Sequence, residues 1–328
     1  MLSDPQLLLP VNYVQDAADA IRGAQSRVCL LSMVIADDHS TDDIVDALCE
    51  AAERGINVEV AADVFTYGEL GGFFLPTRYR SKQSRLTNSM SRRFKTSGVK
   101  FTWLGRSHTT IFSGRTHSKL CIVDNIVYSF GGVNLYQLGI RNNDYMFKVR
   151  DDELADKLID EYHRLVRADA GDYAYPSHSI DHGDDQILID GGFFGDSIIY
   201  RQACLLTREA SSVTLVSQYC PTGRLSRLIK QTSSKLYFNP PERASSLSRL
   251  VIRVGLLFSN NHTLYTKSQY LHAKFMIFYM PDGRKVAITG SHNFVNGGVL
   301  LGTREIALKT ANPLVINQLE EFLNNNVI

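Results

Sequence analysis

His117-Ser-Lys-Leu-Cys-Ile-Val-Asp-Asn-Ile-Val-Tyr-Ser-Phe-Gly-Gly-Val-Asn134 decides how this chain folds, because nearly the same order recurs as His272-Ala-Lys-Phe-Met-Ile-Phe-Tyr-Met-Pro-Asp-Gly-Arg-Lys-Val-Ala-Ile-Thr-Gly-Ser-His-Asn293. Each stretch is an apolar run, a turn carrying Asp, a second apolar run and a Gly-rich end, which predicts a β-hairpin. Residues i and i+2 of a strand face the same way, so His117 projects with Lys119, and His272 with Lys274. The second hairpin is four residues longer. Two extra residues per arm would preserve the strand faces and leave Asp282 in the turn as Asp124 is.

Outward from the first hairpin, the spacing of apolar residues predicts a helix over 17–25, a strand over 28–35, a helix over 42–54 ended by Gly55, and a strand over 56–61. The order returns as a helix over 197–210, a strand over 213–219, a helix over 223–235 and a strand over 251–258. Alternating helices and strands imply an α/β fold with a mixed or mostly parallel sheet, flanked by helices, in each half. Residues 170–185 are polar and turn-rich and read as a linker. The expected organisation is a first half over 1–170, a linker over 171–184 and a second half over 185–328, an internal duplication.

The 328 residues are 44% hydrophobic, enough to bury a full core, and the net charge of +1 argues against a generally basic nucleic-acid binder. The charges are nonetheless uneven. No acid stands between Glu69 and Asp124, and Glu242 is the only one between Glu209 and Asp282. Each of these basic tracts leads into a His-x-Lys, as an anionic substrate would require. The five cysteines are scattered without a C-x-x-C pair, which suits a reducing compartment and neither a zinc site nor a disulfide frame. The Leu7-Leu8-Leu9 run is cut by Pro10 and lacks a basic start, unlike a signal peptide. No apolar stretch nears the roughly 20 residues that span a bilayer, so membrane contact is expected to be peripheral. Phe73 and Phe74, followed by a basic amphipathic segment from Arg78 to Lys95, are the sequence candidates for it.

The pattern H-x-K-x4-D-x6-G-[GS]-x-N resembles the signature of the phospholipase D superfamily. His117, Lys119, Asp124, Gly131, Gly132 and Asn134 fall on it, and His272, Lys274, Gly290, Ser291 and Asn293 fall on the second copy, where Tyr279 stands in place of Asp. The resemblance implies two phospholipase D-like α-β-α halves packed pseudo-symmetrically, with one active site where they meet. Phosphodiester exchange needs a nucleophile, a proton for the leaving alkoxide and positive groups around the phosphoryl oxygens. By resemblance, His117 forms a phosphohistidine and His272 protonates the leaving group, roles open to a side chain that ordinarily titrates near neutrality. Lys119, Lys274, Asn134, Asn293 and the Ser291 hydroxyl would hold the phosphoryl oxygens, with no metal or other cofactor. The family places an acid on the strand after each hairpin, and Asp144 and Glu305 stand there as partners for the histidines.

Gly-Gly-x-Asn followed by Gly-Ser-x-Asn resembles bacterial cardiolipin synthases and related phosphatidyltransferases. The implied substrate is an anionic phospholipid, handled from the cytoplasmic face of the inner membrane by a peripheral enzyme. The alternative is a metal-independent nuclease or phosphodiesterase of the same superfamily acting on DNA or RNA, for which Tyr79, Phe94 and Trp103 would supply stacking surfaces.

Overall fold

A computed structural model describes residues 2–64, 66, 82–105, 114–171, 175–243 and 261–328. The first sheet contains β1 (Gln6–Leu8), β2 (Arg27–Ser32), β3 (Asn57–Asp63), β4 (Lys100–Leu104), β5 (Leu120–Val123), β6 (Ile126–Ser129) and β7 (Met146–Arg150), in the order β1-β7-β6-β5-β2-β3-β4. The second contains β8 (His178–His182), β9 (Asp185–Gly191), β10 (Ser212–Val216), β11 (Ser233–Tyr237), β12 (Phe275–Tyr279), β13 (Lys285–Gly290) and β14 (Arg304–Thr310), in the order β11-β10-β12-β13-β14-β9-β8. The duplication is therefore real in space. The hairpin β5–β6 and the strand β7 correspond to β12–β13 and β14, and β2–β3 correspond to β10–β11.

Both sheets are mixed. Among the described strands, β2–β3, β3–β4 and β10–β11 pair in parallel and the remaining strand pairs are antiparallel. The reason lies in the hairpins: a tight turn can join only antiparallel strands, whereas parallel ones need a crossover. Strand faces alternate as the period of two demands. Leu120 and Ile122 enter the core shared by both halves, while Cys121 and Val123 enter the outer core of the first half. Phe275 and Ile277 likewise face the shared core, and Met276 and Phe278 the outer core of the second half.

The helices Asp152–Asp169 and Pro313–Phe322 fill the space between the sheets, with Leu158, Tyr162, Leu319 and Phe322 buried there. A polar clasp adds to this packing. Tyr145 Oη lies 2.5 Å from Thr289 Oγ1, which also donates to the Phe130 carbonyl at 2.8 Å. One core thus holds the halves together.

Several boundaries differ from the sequence expectation. The helix expected over 223–235 ends at Ile229, because the hydroxyls of Thr232 and Ser234 donate to the last carbonyls, Leu228 and Ile229, at 3.1 and 3.0 Å. Residues 233–237 then form β11. Within the expected linker, His178–His182 forms the edge strand β8, whose polar composition hid it. The strand expected over 251–258 lies outside the described residues, as do Phe73, Phe74 and Arg78. Lys82–Ser97 is helical, with Met90 and Phe94 buried against their own half, and Arg93 pairs with Asp37 at 2.7 Å and with Asp46. Among the described residues no helix is long and apolar enough to cross a membrane.

Candidate active site

Both hairpins begin at the seam between the halves, and the backbone fixes them there by the same device. Arg304 N donates to Arg115 O, while His117 N and Ser118 N both donate to Arg304 O, at 2.8 to 3.0 Å. On the other side of the pseudo-twofold, Asn143 N donates to Tyr270 O, and His272 N and Ala273 N donate to Asn143 O. Each His-x-Lys is thereby stitched to the residue preceding the other half's acid.

The side chains complete the exchange. His117 Nδ1 lies 3.0 Å from Glu305 Oε1, and His272 Nδ1 lies 2.6 Å from Asp144 Oδ2. An ionised carboxylate can only accept, so each Nδ1 donates its N–H and Nε2 is the ring nitrogen left for chemistry. Neither motif histidine takes its carboxylate from its own half. Lys119 Nζ donates to His117 O at 2.7 Å, and Lys274 Nζ donates to His272 O while lying 3.2 Å from His272 Nδ1. Both ammoniums are buried.

These groups respond to one another as a single site. Burial pushes Lys274 down to about 7, with Lys119 lowering it further and Asp144 and Glu305 opposing. Lys119 is lowered by the same burial and raised by the same two acids. Burial and Lys274 hold His272 down to about 4, against the pull of Asp144. Burial alone would raise Glu305, but His117, His292 and Ser291 outweigh it and bring the carboxyl to about 2. Asp144 is also below its usual range, because His272 and Lys274 overcome its burial. Both acids are therefore ionised at neutral pH.

Residues 18–166 match the family model described as "Cardiolipin synthase, PLD-like domain". That stretch is thus similar to the phospholipase D-like domains the model describes.

The match covers the first motif and Asp144, and the second motif lies beyond it. The fold is shared over almost the whole length. A phosphatidylserine synthase from Haemophilus influenzae superposes with a TM-score of 0.75 at 13% identity, covering 98% of this chain and 85% of that one. A polyphosphate kinase from Porphyromonas gingivalis gives a TM-score of 0.64 at 14% identity, covering 98% of this chain and 50% of that one. No curated protein matches the sequence.

The one-letter difference between the two phospholipase D motifs has a steric basis. A Cβ on Gly132 would stand 2.7 Å from Asp144 Oδ2. At the equivalent place Ser291 Oγ donates to Glu305 Oε2 at 2.5 Å and accepts from Ile306 N at 3.0 Å. The Ser291 hydroxyl expected at the phosphoryl oxygens thus has a carboxylate to hold. Asn134 and Asn293 are buried at matching places, and the Oδ1 of each lacks a protein partner among the described residues. His292, at the variable position of the motif, is buried, and its Nδ1 accepts from Phe294 N at 2.8 Å.

Asp124 and Asp282 both stand in their turns but do different work. The Asp124 carboxylate accepts from the backbone of Gln25, Ser26 and Arg27, tying the hairpin to the start of β2. Asp282 bonds only within its own turn, to Arg284. The four extra residues are not two per arm. The outgoing arm gains two, the turn one and the returning arm one, and Phe130, at φ +58°, makes the register adjustment in the first half.

Sequence reasoning missed the ion pairs behind His117. Arg115 pairs with Asp63 at 3.0 Å and Arg304 with Asp169 at 2.5 Å, all four buried, while Thr116 N donates to Asp63. They brace the backbone on which His117 and Glu305 stand. Among the described residues no three His, Cys, Asp or Glu side chains gather as a metal site would require.

Gly131 and Gly290 allow each hairpin end to press on the next strand. A Cβ would fall 2.0 Å from Tyr145 O or 2.2 Å from Ile306 O, backbone atoms that cannot swing aside. Gly131→Ala is expected to cost about 3 kcal/mol of stability, read as a lowered thermal unfolding midpoint. A midpoint equal to wild type would contradict this packing.

Proposed function

We propose that this protein transfers or hydrolyses phosphodiesters of anionic phospholipids through a phosphohistidine intermediate. The observation that carries the reading is the crossed arrangement, two imidazoles each oriented by the other half's carboxylate over two buried ammoniums. When both lysines are protonated, their charges balance those of Asp144 and Glu305. A bound diester adds one negative charge, which favours protonation of Lys274 and of one imidazole.

His117 Nε2 attacks phosphorus, and the P–O bond to the leaving alkoxide breaks as that oxygen takes the proton of His272 Nε2. Water or an alcohol then gives a proton to His272, attacks phosphorus and releases His117. Lys119, Lys274 and the side-chain amides of Asn134 and Asn293 stabilise the charge on the equatorial oxygens. Two findings turn the substrate toward phospholipid: the matched model carries the name cardiolipin synthase, and the fold is that of a phosphatidylserine synthase. This reading places the enzyme peripherally at the cytoplasmic face of the inner membrane.

The test is head-group exchange on phosphatidylglycerol vesicles in excess EDTA, run beside single-stranded DNA. Undiminished lipid turnover is expected, with an acid-labile, alkali-stable adduct on His117. Cleavage of DNA with no turnover of phospholipid would transfer the activity to nucleic acid. An adduct that persists in His117→Ala and is lost in His272→Ala would exchange the two roles.

A further inference from the structure

Apolar side chains are ordinarily scattered on a protein surface, and a contiguous exposed group of large ones marks a contact. Gly191-Gly-Phe-Phe-Gly195 links β9 to the helix Ile198–Glu209, and Phe193 and Phe194 are 48% and 71% exposed on it. Beside them, at the end of the helix Asn296–Leu301, Leu300 and Leu301 are 58% and 42% exposed. The two segments touch along their backbones. Gly195 N donates to Val299 O at 2.9 Å, and a Cβ on Gly302 would meet Gly192 O at 2.4 Å. Gly192 and Gly302 both adopt positive φ, the conformation that lets the chains approach so closely.

The patch adjoins the active site. Gly302 O accepts from Gly114 N at 3.0 Å, and Glu305, the partner of His117, stands three residues on, in β14. Its charge is one-sided. Asn296 N donates to Thr222 Oγ1, and a Cβ on Gly223 would meet the Asn296 side chain, so the helix Gly223–Ile229 abuts the leucine-bearing one. Arg224 and Arg227 are exposed on it, three residues apart and so on one face, and neither joins an ion pair among the described residues. The loop's one acid, Asp196, is already held by Arg201 at 2.7 Å and by Ser177 N.

We infer that Phe193, Phe194, Leu300 and Leu301, flanked by Arg224 and Arg227, form the surface by which the protein seats its active site on an anionic bilayer. The inference rests on the phospholipid reading above. Exposed aromatic and aliphatic side chains enter the acyl boundary while nearby arginines meet anionic head groups. A second copy of this chain fits less well, since a twofold contact through the patch would oppose like charges.

The test is sedimentation of the full chain with phosphatidylglycerol vesicles, with phosphatidylcholine vesicles as the neutral comparison. Wild type is expected to sediment with the anionic vesicles, and Phe193→Ser combined with Phe194→Ser to lower the partition coefficient at least roughly tenfold. Arg224→Gln with Arg227→Gln is expected to lower it on the order of tenfold on anionic vesicles and little on neutral ones. Unchanged thermal unfolding midpoints would show that the variants fold. Equal partitioning of wild type and both variants overturns the inference, as does a wild type that ignores vesicles. So does a patch variant whose only change is from dimer to monomer in lipid-free sedimentation. Patch-dependent binding without phospholipid turnover would leave the surface standing and remove the proposed activity instead.

Discussion

Alanine in place of His272 is expected to lower phosphodiester turnover by about 10^4-fold, and alanine in place of His117 by a similar or larger factor. In the proposed reaction each imidazole makes or breaks a bond that no neighbour can handle. Lys119 and Lys274 are the nearest candidates, but each already donates to the carbonyl of its own histidine and lacks a free lone pair when charged. The loss should be chemical and not structural. In His272→Ala, Asp144 keeps the bond from Tyr145 N at 2.9 Å and the attraction of Lys274, so the carboxylate stays compensated. Single-turnover kinetics on the chosen phospholipid, with the unfolding midpoint measured in parallel, checks both halves of the claim. Residual activity within tenfold of wild type in either variant would remove that histidine from the reaction.

The parts of this site that repeat in sequence were the legible ones. Two copies of His-x-Lys at hairpin spacing disclosed the duplication and the strand faces, because a period of two is local information, and the family resemblance implied that they share one site. The acids were legible too, as positions, since Asp144 and Glu305 each follow their hairpin at a similar distance. Their crossing was not. Which carboxylate meets which imidazole depends on how two sheets stack through Phe147, Phe275 and Phe322, and no local pattern encodes that. The braces Arg115–Asp63 and Arg304–Asp169 were equally hidden, because their partners are 52 and 135 residues apart and belong to no motif. Of the mixed or parallel sheets expected, the mixed form is the one found, for a related reason. Alternating helices and strands describe β2–β3 and β10–β11, but the hairpins that carry the chemistry impose antiparallel neighbours. The Ser291 hydroxyl shows the limit of motif reading most sharply: its place suggested a phosphoryl contact, whereas its geometry gives it to Glu305.

The crossing leads to the second large effect. Asp144→Asn is expected to reduce turnover by about 10^2- to 10^4-fold while leaving the shape of the site almost unchanged. Asp144 accepts the Nδ1–H of His272 at 2.6 Å and so keeps Nε2 free toward the substrate. An amide can present its NH2 group to Nδ1 instead. The imidazole would then carry its proton on Nε2, the wrong nitrogen for the recovery of a proton from water or alcohol. The substitution also removes one of the two negative charges that keep Lys274 protonated, so the ammonium, already lowered to about 7, falls further. Turnover that requires a charged Lys274 must then decline at lower pH than in wild type, and the alkaline limb of the rate profile should move down. Glu305→Gln acts on the opposite histidine. It leaves one amide oxygen where His117 and the Ser291 hydroxyl each use a carboxylate oxygen. Nitrogen-15 spectra of the two imidazoles separate the cases: Asp144→Asn should change the tautomer signature of His272 and spare His117, and Glu305→Gln should do the reverse. A change at His117 in Asp144→Asn would mean that each acid serves its own half. The seam would then lose its reason for being there, because a single half could orient its own base.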